Sequence, residues 1–238
     1  MPLYLVSTPI GNLDDLPPRA LSTLREADII AAEDTRHTGL LLSRFGLSKR
    51  LISFHDHNEG TRSAALLPLL QEGKSIALVS DAGTPGIADP AFNLVRLAVE
   101  NGITVIPIPG PSAVITALMA SGLPTDRFVF ENFLPVKPGK RRHKLESLKD
   151  ETRTIIFYES PYRLTKTLRA MQEIFGDIPV VVARELTKKF ETFHRGPITT
   201  LLAHFDKEGV KGEITVLFSL KGQNTSVPEE DAEEADEE

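Results

Sequence analysis

The stretch "SIALVSDAGTPGIADPAFNLVRLAVE" (75–100) decides the fold. SIALV is a short apolar run of the kind that forms a fully buried strand, and FNLVRLAVE (92–100) repeats its apolar residues at helical spacing. Between them, VSDAGTPGIADP (79–90) carries two glycines and two prolines. Glycine allows positive φ and close backbone approach, and proline fixes φ. Pro90 also suits the first turn of the helix that follows. A strand-to-helix junction punctuated in this way is a stiff loop. In open α/β sheets such loops, at the carboxyl ends of strands, are where ligands bind.

The same strand–loop–helix pattern recurs outward from this point. Strands are expected at 3–7, 28–33, 51–54, 75–80 and 103–108, with helices near 17–25, 36–45, 59–72, 91–101 and 111–120. That alternation predicts βαβ units, a parallel sheet and helices on its faces. A second alternation follows SGLPTD (121–126). It has strands at 127–132, 153–159, 179–185 and 213–220, an optional short strand within 188–196, and helices near 140–149, 161–175 and 197–205. The expected organisation is therefore an α/β domain over 1–122, a second α/β domain over 123–223 and an acidic disordered tail over 224–238. Two further strand ends in the first half, STPIGN (7–12) and PIPGPSA (107–113), are as rich in glycine and proline as the first. Three stiff loops at one sheet edge make a preformed pocket.

Several chemistries are excluded. The first strand is not followed by G-x-G-x-x-G. EGKS (72–75) resembles the end of a phosphate-binding loop, but position 68 is proline and Gly73 falls at the end of a helix. The chain has no cysteine, which removes disulfides, thiolate catalysis and zinc–thiolate sites and fits a reducing, cytoplasmic setting. No G-x-S-x-G elbow is present. His55 and His57 in SFHDHNE (53–59) are the best metal-ligating pair, yet a polar strand end lining a cleft explains them as well, and no metal is expected. No run approaches the length of a membrane span, and the N-terminus has no signal-peptide pattern.

The formal charge is −6, but eight acids lie in the last eleven residues, and without them the remainder is +2. The body is thus compatible with a nucleic-acid partner. Its bases gather in KPGKRRHK (137–144), where Lys137, Lys140, Arg141, Arg142 and Lys144 are candidate phosphate contacts. Few aromatics accompany them, which points to shape recognition of an assembled particle more than to stacking on single strands.

The segments LYLVSTPIGNLDDL, AAEDTRHT, SFHDHNE, VSDAGTPGIADP, PIPGPSAVITALMASGLP, FLP, FYESPYRL, ARELTKKFE and GEITVL, in this order from residue 3 to about 217, carry a resemblance. The chain resembles the tetrapyrrole-methylase-like (class III) superfamily of S-adenosyl-L-methionine (SAM) methyltransferases. Within it the chain is similar to the bacterial family that methylates the 2'-hydroxyl of a cytidine ribose in 16S ribosomal RNA, in the decoding region of the small subunit. The resemblance implies two α/β domains with the cofactor cleft between them and a homodimer, while the lack of a long apolar run argues against a membrane partner. Carried over by position, it implies SAM contacts at Pro9, Ser80, Asp81, Ala82, Gly83, Ile87, Ala88, Ser112, Ala113, Tyr158, Ala183 and Thr215. Polar residues at neighbouring strand ends supply the catalytic candidates Asp34, Arg36, Arg184 and Glu185, each with a structural ion pair as the competing role. Two positions depart from the family pattern, Ala91 and Asn132, where glycine is usual; asparagine tolerates the left-handed region best among the alternatives. Competing readings are methylation of a tetrapyrrole or other small molecule, a non-enzymatic RNA-binding assembly factor, and a metal-dependent hydrolase using His55 and His57.

Overall fold

The computed structural model describes residues 1–221. The expected acidic tail lies outside the described residues. The first half runs β1 (Leu3–Val6), α1 (Pro18–Glu26), β2 (Ile29–Ala32), α2 (Thr35–Arg44), β3 (Leu51–Ser53), α3 (Glu59–Gln71), β4 (Ile76–Val79), α4 (Phe92–Glu100), β5 (Val105–Ile108) and α5 (Ala113–Met119). Every expected strand and helix is present within a few residues. A 3-10 turn over Leu13–Asp15, which no periodicity signals, is added, with Asn12 capping it by accepting from the Asp14 N–H.

These five strands form one parallel sheet in the order β3-β2-β4-β1-β5. Alternation along each strand sends side chains to opposite faces. Leu3, Ile29, Ala31, Ile76 and Leu78 meet α3 and α4 through Leu66, Leu70, Leu94 and Ala98. Val6, Ile30, Ala32, Ala77 and Val79 meet α1 and α2 through Ala20, Leu24 and Leu42. Burial on both faces is why these strands read as unbroken apolar runs.

The second half contains β6 (Phe128–Phe133), α6 (Pro138–Glu146), β7 (Thr154–Glu159), α7 (Leu164–Phe175), β8 (Pro179–Arg184), β9 (Thr192–Pro197), α8 (Ile198–Glu208) and β10 (Ile214–Phe218). The optional strand is real, as β9. This sheet is mixed, in the order β6-β7-β10-β8-β9: only β6 and β7 are parallel, and β10 inserts antiparallel between β7 and β8. The short β8–β9 connection requires an antiparallel pair, since a parallel one needs a crossover.

One face of the second sheet is covered by α6, α7 and α8. The other is covered by α5, whose Val114, Ala117 and Leu118 pack on Ile156, Val181, Ala183 and Leu217. By packing, the last helix of the first half therefore belongs to the second sheet, which brings the two sheets' loops to one place. Asn132 takes φ 54°, the left-handed conformation that its side chain tolerates. Ala91 sits just before α4 rather than inside it, with extended φ of −172°. Among the described residues, no helix is long and apolar enough to cross a membrane.

Candidate functional site

The three glycine- and proline-rich loops are laced together. Thr8 and Gly83 exchange both backbone hydrogen bonds, at 2.9 and 3.0 Å. The Thr8 hydroxyl donates to the Ser80 carbonyl (3.2 Å), the Ser7 hydroxyl to Thr84 Oγ1 (3.3 Å), and the Thr84 hydroxyl to the Pro111 carbonyl (3.2 Å). Gly83 can serve here because its φ is +88°. At Gly110 a Cβ would come within 2.9 Å of Ser7 Cβ, so the β5 loop can close on the β1 loop only with glycine there.

Beside these loops lies a cavity of about 430 Å³. The first half contributes Ile10, Glu33, the 81–84 and 87–89 segments, Ser112 and Ala113; the second contributes Phe133, the 158–161 segment and the 212–215 segment. Of the twelve residues expected to contact cofactor, all but Pro9, Ser80 and Ala183 line it. Pro9 lines an adjoining groove instead. Ser80 is buried, with its hydroxyl against the Gly83 carbonyl (3.3 Å) and the Asp89 carboxyl. Ala183 is wholly buried beneath α5.

The cavity's charge is one-sided. Glu33, Asp81, Asp89, Glu159 and Glu213 line it, and no lysine, arginine or histidine does. Burial pushes the Asp89 carboxyl up to about 7, helped by the charge of Glu33 and, to a smaller extent, Asp81 and Asp56. Burial also holds Glu33 above the usual carboxylate range, and it pushes the Tyr158 hydroxyl up to about 12. Tyr158 is flanked by Phe130 and Phe133, with ring centroids 4.9 and 5.5 Å away.

Asp89, Glu159 and the Gly212–Ile214 segment were not singled out from sequence. Asp89 lies inside the loop that decides the fold, between the chosen Ala88 and Pro90, and its residue type was the only available signal. Glu159 is fully buried and held by Arg163 (2.6 Å), the Thr167 hydroxyl (2.6 Å) and the Ser160 N–H (2.7 Å). The ESPYR pattern is thus a lock on the cavity wall, with Arg163 also donating to the Leu134 carbonyl (3.2 Å).

The catalytic candidates line neither the cavity nor the groove. Asp34 caps α2, accepts from the Arg36 backbone N–H (2.8 Å) and pairs with the Arg36 guanidinium (2.7 Å), which holds its carboxyl far below the usual range. Its own N–H donates to Asp81 Oδ1 (2.9 Å), so it touches the site through Asp81. Arg184 donates to Thr192 and to the Lys211 and Phe190 carbonyls. Glu185 accepts from the Glu213 N–H (2.9 Å) and pairs with Lys188 (3.0 Å); backbone bonding and Lys188 hold its carboxyl low. Carboxyls held low are weak bases.

The basic segment is also less free than its sequence suggests. Arg141 is buried, Arg142 pairs with Glu146 and Glu173, and Lys144 pairs with Glu131. Among the described residues, only Lys137 and Lys140 of the five are exposed without an ion-pair partner. His55 and His57 stack edge to face at 5.9 Å, and no cluster of three metal-ligating side chains surrounds them among the described residues.

Residues 2–202 match the family model of the tetrapyrrole (corrin/porphyrin) methylases. The chain is 53% identical over 230 residues to the ribosomal RNA small subunit methyltransferase I of Escherichia coli O157:H7, covering 95% of this chain and 80% of that protein. It is 51% identical to the protein of the same name from Thermotoga maritima, covering 92% of this chain and 98% of that one. Among solved structures, the methyltransferase CobJ superposes with a TM-score of 0.69 at 19% identity, over 92% of this chain and 94% of the other. A uroporphyrin-III C-methyltransferase from Thermus thermophilus, complexed with S-adenosyl homocysteine, superposes with a TM-score of 0.61 at 17% identity, over 91% and 97%. At such identities these two structures speak to the fold alone.

Proposed function

The chain belongs to the tetrapyrrole (corrin/porphyrin) methylase family, and from that premise we propose that it transfers a methyl group from SAM to 16S ribosomal RNA of the small subunit, onto the 2'-hydroxyl of a cytidine ribose in the decoding region. The relatives identical at half or more of the aligned positions are named for ribosomal RNA small-subunit methylation, and they support the substrate class.

The observation that carries the cofactor assignment is the acid-only lining of the cavity. A phosphate-bearing cofactor would meet carboxylates there and no base. SAM supplies a methyl group on a positively charged sulfur, next to an amino group that is also cationic. Asp81, Asp89 and Glu33 suit that charge; Ile10, Ile87, Phe133 and Tyr158 give an apolar slot; Ser112 and Thr215 offer hydroxyls; and the small Ala82, Gly83, Ala88 and Ala113 leave room. The buried Ser80 and Ala183 support this pocket from behind, and Pro9 lines the groove beside it. The fit is therefore good in donor set and in size, since ligand pockets run from about 300 to 1,000 Å³.

The chain's own contribution is to bind, align and exclude water, and alignment alone removes much of the barrier in such displacements. In this reading Asp34, braced by Arg36, holds Asp81, Glu185 holds Glu213 and Lys188, and Arg184 ties the Lys211 and Phe190 carbonyls together, as positioning groups. Lys137 and Lys140 lead the phosphate contacts, with Arg142 and Lys144 beside them and Arg141 bracing the helix. The halves 1–122 and 123–223 act as two domains, with α5 of the first packed on the sheet of the second. The chain works in the cytoplasm as a homodimer, a reading supported by exposed Phe92, Val99, Ile115 and Met119 on α4 and α5.

The test uses labelled SAM and small ribosomal subunits that lack the modification. After alkali digestion of the RNA, label should appear in a resistant dinucleotide, because cleavage needs a free 2'-hydroxyl. Label in mononucleotides would instead mark methylation of a base, and no label would remove the RNA assignment.

Affinity should also follow pH. Below about 7 Asp89 takes up a proton and no longer faces the cofactor's positive charge. SAM affinity, measured calorimetrically, should therefore fall about tenfold, or 1.4 kcal/mol, from about pH 8 to about pH 6, and Asp89→Asn should flatten that dependence. The free protein changes in the opposite sense. A carboxyl raised on folding costs stability when ionised, so stability declines as pH rises from about 4 to about 7.

A further inference from the structure

A groove of about 360 Å³ adjoins the cofactor cavity and shares Ile10, Asp81, Ala82 and Glu213 with it. One wall is a single stripe of α2: His37, Leu40, Leu41 and Arg44, at spacings i, i+3, i+4 and i+7. The other walls are Pro9, Gly11 and Leu13 of the first loop, and Lys188. This second wall is tightly fixed. A Cβ on Gly11 would run into Lys188 and come within 2.8 Å of Thr187 Oγ1, and the Asn12 N–H donates to that same oxygen (3.1 Å).

The groove differs from the cavity in charge. Lys188 is neutralised by Glu185 (3.0 Å) and Glu213 (3.1 Å) near the shared wall. His37 and Arg44 are exposed and have no ion-pair partner among the described residues. The groove thus has carboxylates at its shared wall and, along α2, two leucines flanked by the unpaired bases His37 and Arg44, about two helical turns apart. Leu40 is 71% exposed. A lone exposed leucine means little, but here it stands in line with three other residues facing one groove.

We propose that this groove seats the acceptor nucleotide, an inference that rests on the methyl-transfer reading above. Its ribose hydroxyl lies at the shared wall, its base lies against Leu13, Leu40 and Leu41, and the phosphates on its two sides lie toward His37 and Arg44. A ribonucleotide in RNA offers these chemistries together: a ribose hydroxyl, a flat partly apolar ring joined to that ribose, and an anionic phosphate on either side of it. The cofactor cavity, with no base in its lining, cannot take the phosphate. The groove and cavity meet at four side chains, so a hydroxyl in one is adjacent to a methyl donor in the other.

The test measures binding of unmodified small ribosomal subunits to protein loaded with S-adenosylhomocysteine, alongside single-turnover methyl transfer, for wild type, Arg44→Ala and Leu40→Glu. Lys166→Glu, on α7 across the second sheet, controls for general charge. Arg44→Ala should weaken subunit binding about tenfold and make its salt dependence shallower by about one phosphate contact. Leu40→Glu should weaken it at least about as much, while SAM affinity stays within about twofold of wild type in both. Subunit affinity equal to wild type in both variants overturns the seat. Binding that responds to the variants, in a protein that transfers no methyl, sinks the methyl-transfer reading and leaves the groove an RNA contact rather than an acceptor seat. A wild type that neither binds nor methylates subunits overturns both.

Discussion

Replacing Arg163 with alanine should lower the free energy of unfolding by about 3–5 kcal/mol, the range for breaking a buried ion pair from one side. The Glu159 side chain is fully buried and that of Arg163 is 17% exposed, with 2.6 Å between them. Deleting the guanidinium leaves a carboxylate out of water with only the Thr167 hydroxyl and Ser160 N–H as partners. It also frees the Leu134 carbonyl. An internal comparison is available in Arg169 and Asp206, which meet at the same 2.6 Å but are about half exposed. Arg169→Ala should cost less than about 1 kcal/mol, because solvent screens such pairs. Urea denaturation of the two variants reads the difference directly. Equal losses would show that burial does not set the worth of the Glu159–Arg163 pair. Since Glu159, Ser160 and Pro161 line the cofactor cavity, the Arg163 variant should lose SAM affinity as well, and the Arg169 variant should not.

That pair also marks where the sequence stopped being legible. Strands such as IIAA and IALV, buried on both faces, announce themselves through composition, and helices such as FNLVRLAVE through period. The loops between them announce themselves through glycine and proline, because backbone conformation is a local property. The cofactor contacts come instead from the family resemblance, and nine of them line one cavity. Partnerships are not local. Nothing in KPGKRRHK says that Arg141 turns inward while Arg142 and Lys144 find glutamates on α6, α7 and β6. Nothing in AEDTR says that Asp34 spends its carboxylate on capping α2 and on Arg36. The antiparallel insertion of β10 between β7 and β8 is equally hidden, because strand order depends on long-range pairing. That insertion is what carries Gly212–Thr215 to the cavity. The quiet Asp89 became visible only once burial and three neighbouring carboxylates gave it an unusual charge balance.

Gly83→Val should reduce SAM affinity by at least about 100-fold, close to 2.8 kcal/mol, and methyl transfer at limiting SAM in proportion. Three effects act together at this residue. Its φ is +88°, where a β-branched side chain is strained by about 1–2 kcal/mol or more. A Cβ there would lie 3.3 Å from Ile10 Cγ2, and Ile10 lines both the cavity and the adjoining groove. The backbone strain can be relieved only by loosening the paired hydrogen bonds to Thr8, at 2.9 and 3.0 Å, which join the β1 and β4 loops. Gly73 provides the matched control. It too has positive φ, +88°, but nothing lies within 4 Å of a Cβ built there, and it lines neither space. Gly73→Val should therefore cost comparable stability through strain alone and leave SAM affinity at the wild-type value. Calorimetric titration of both variants with SAM, at a temperature where circular dichroism shows each folded, separates the contributions. If Gly83→Val binds SAM as wild type does, the laced loops are not what holds the cofactor. If Gly73→Val loses affinity to the same degree, general destabilisation rather than pocket shape explains the effect.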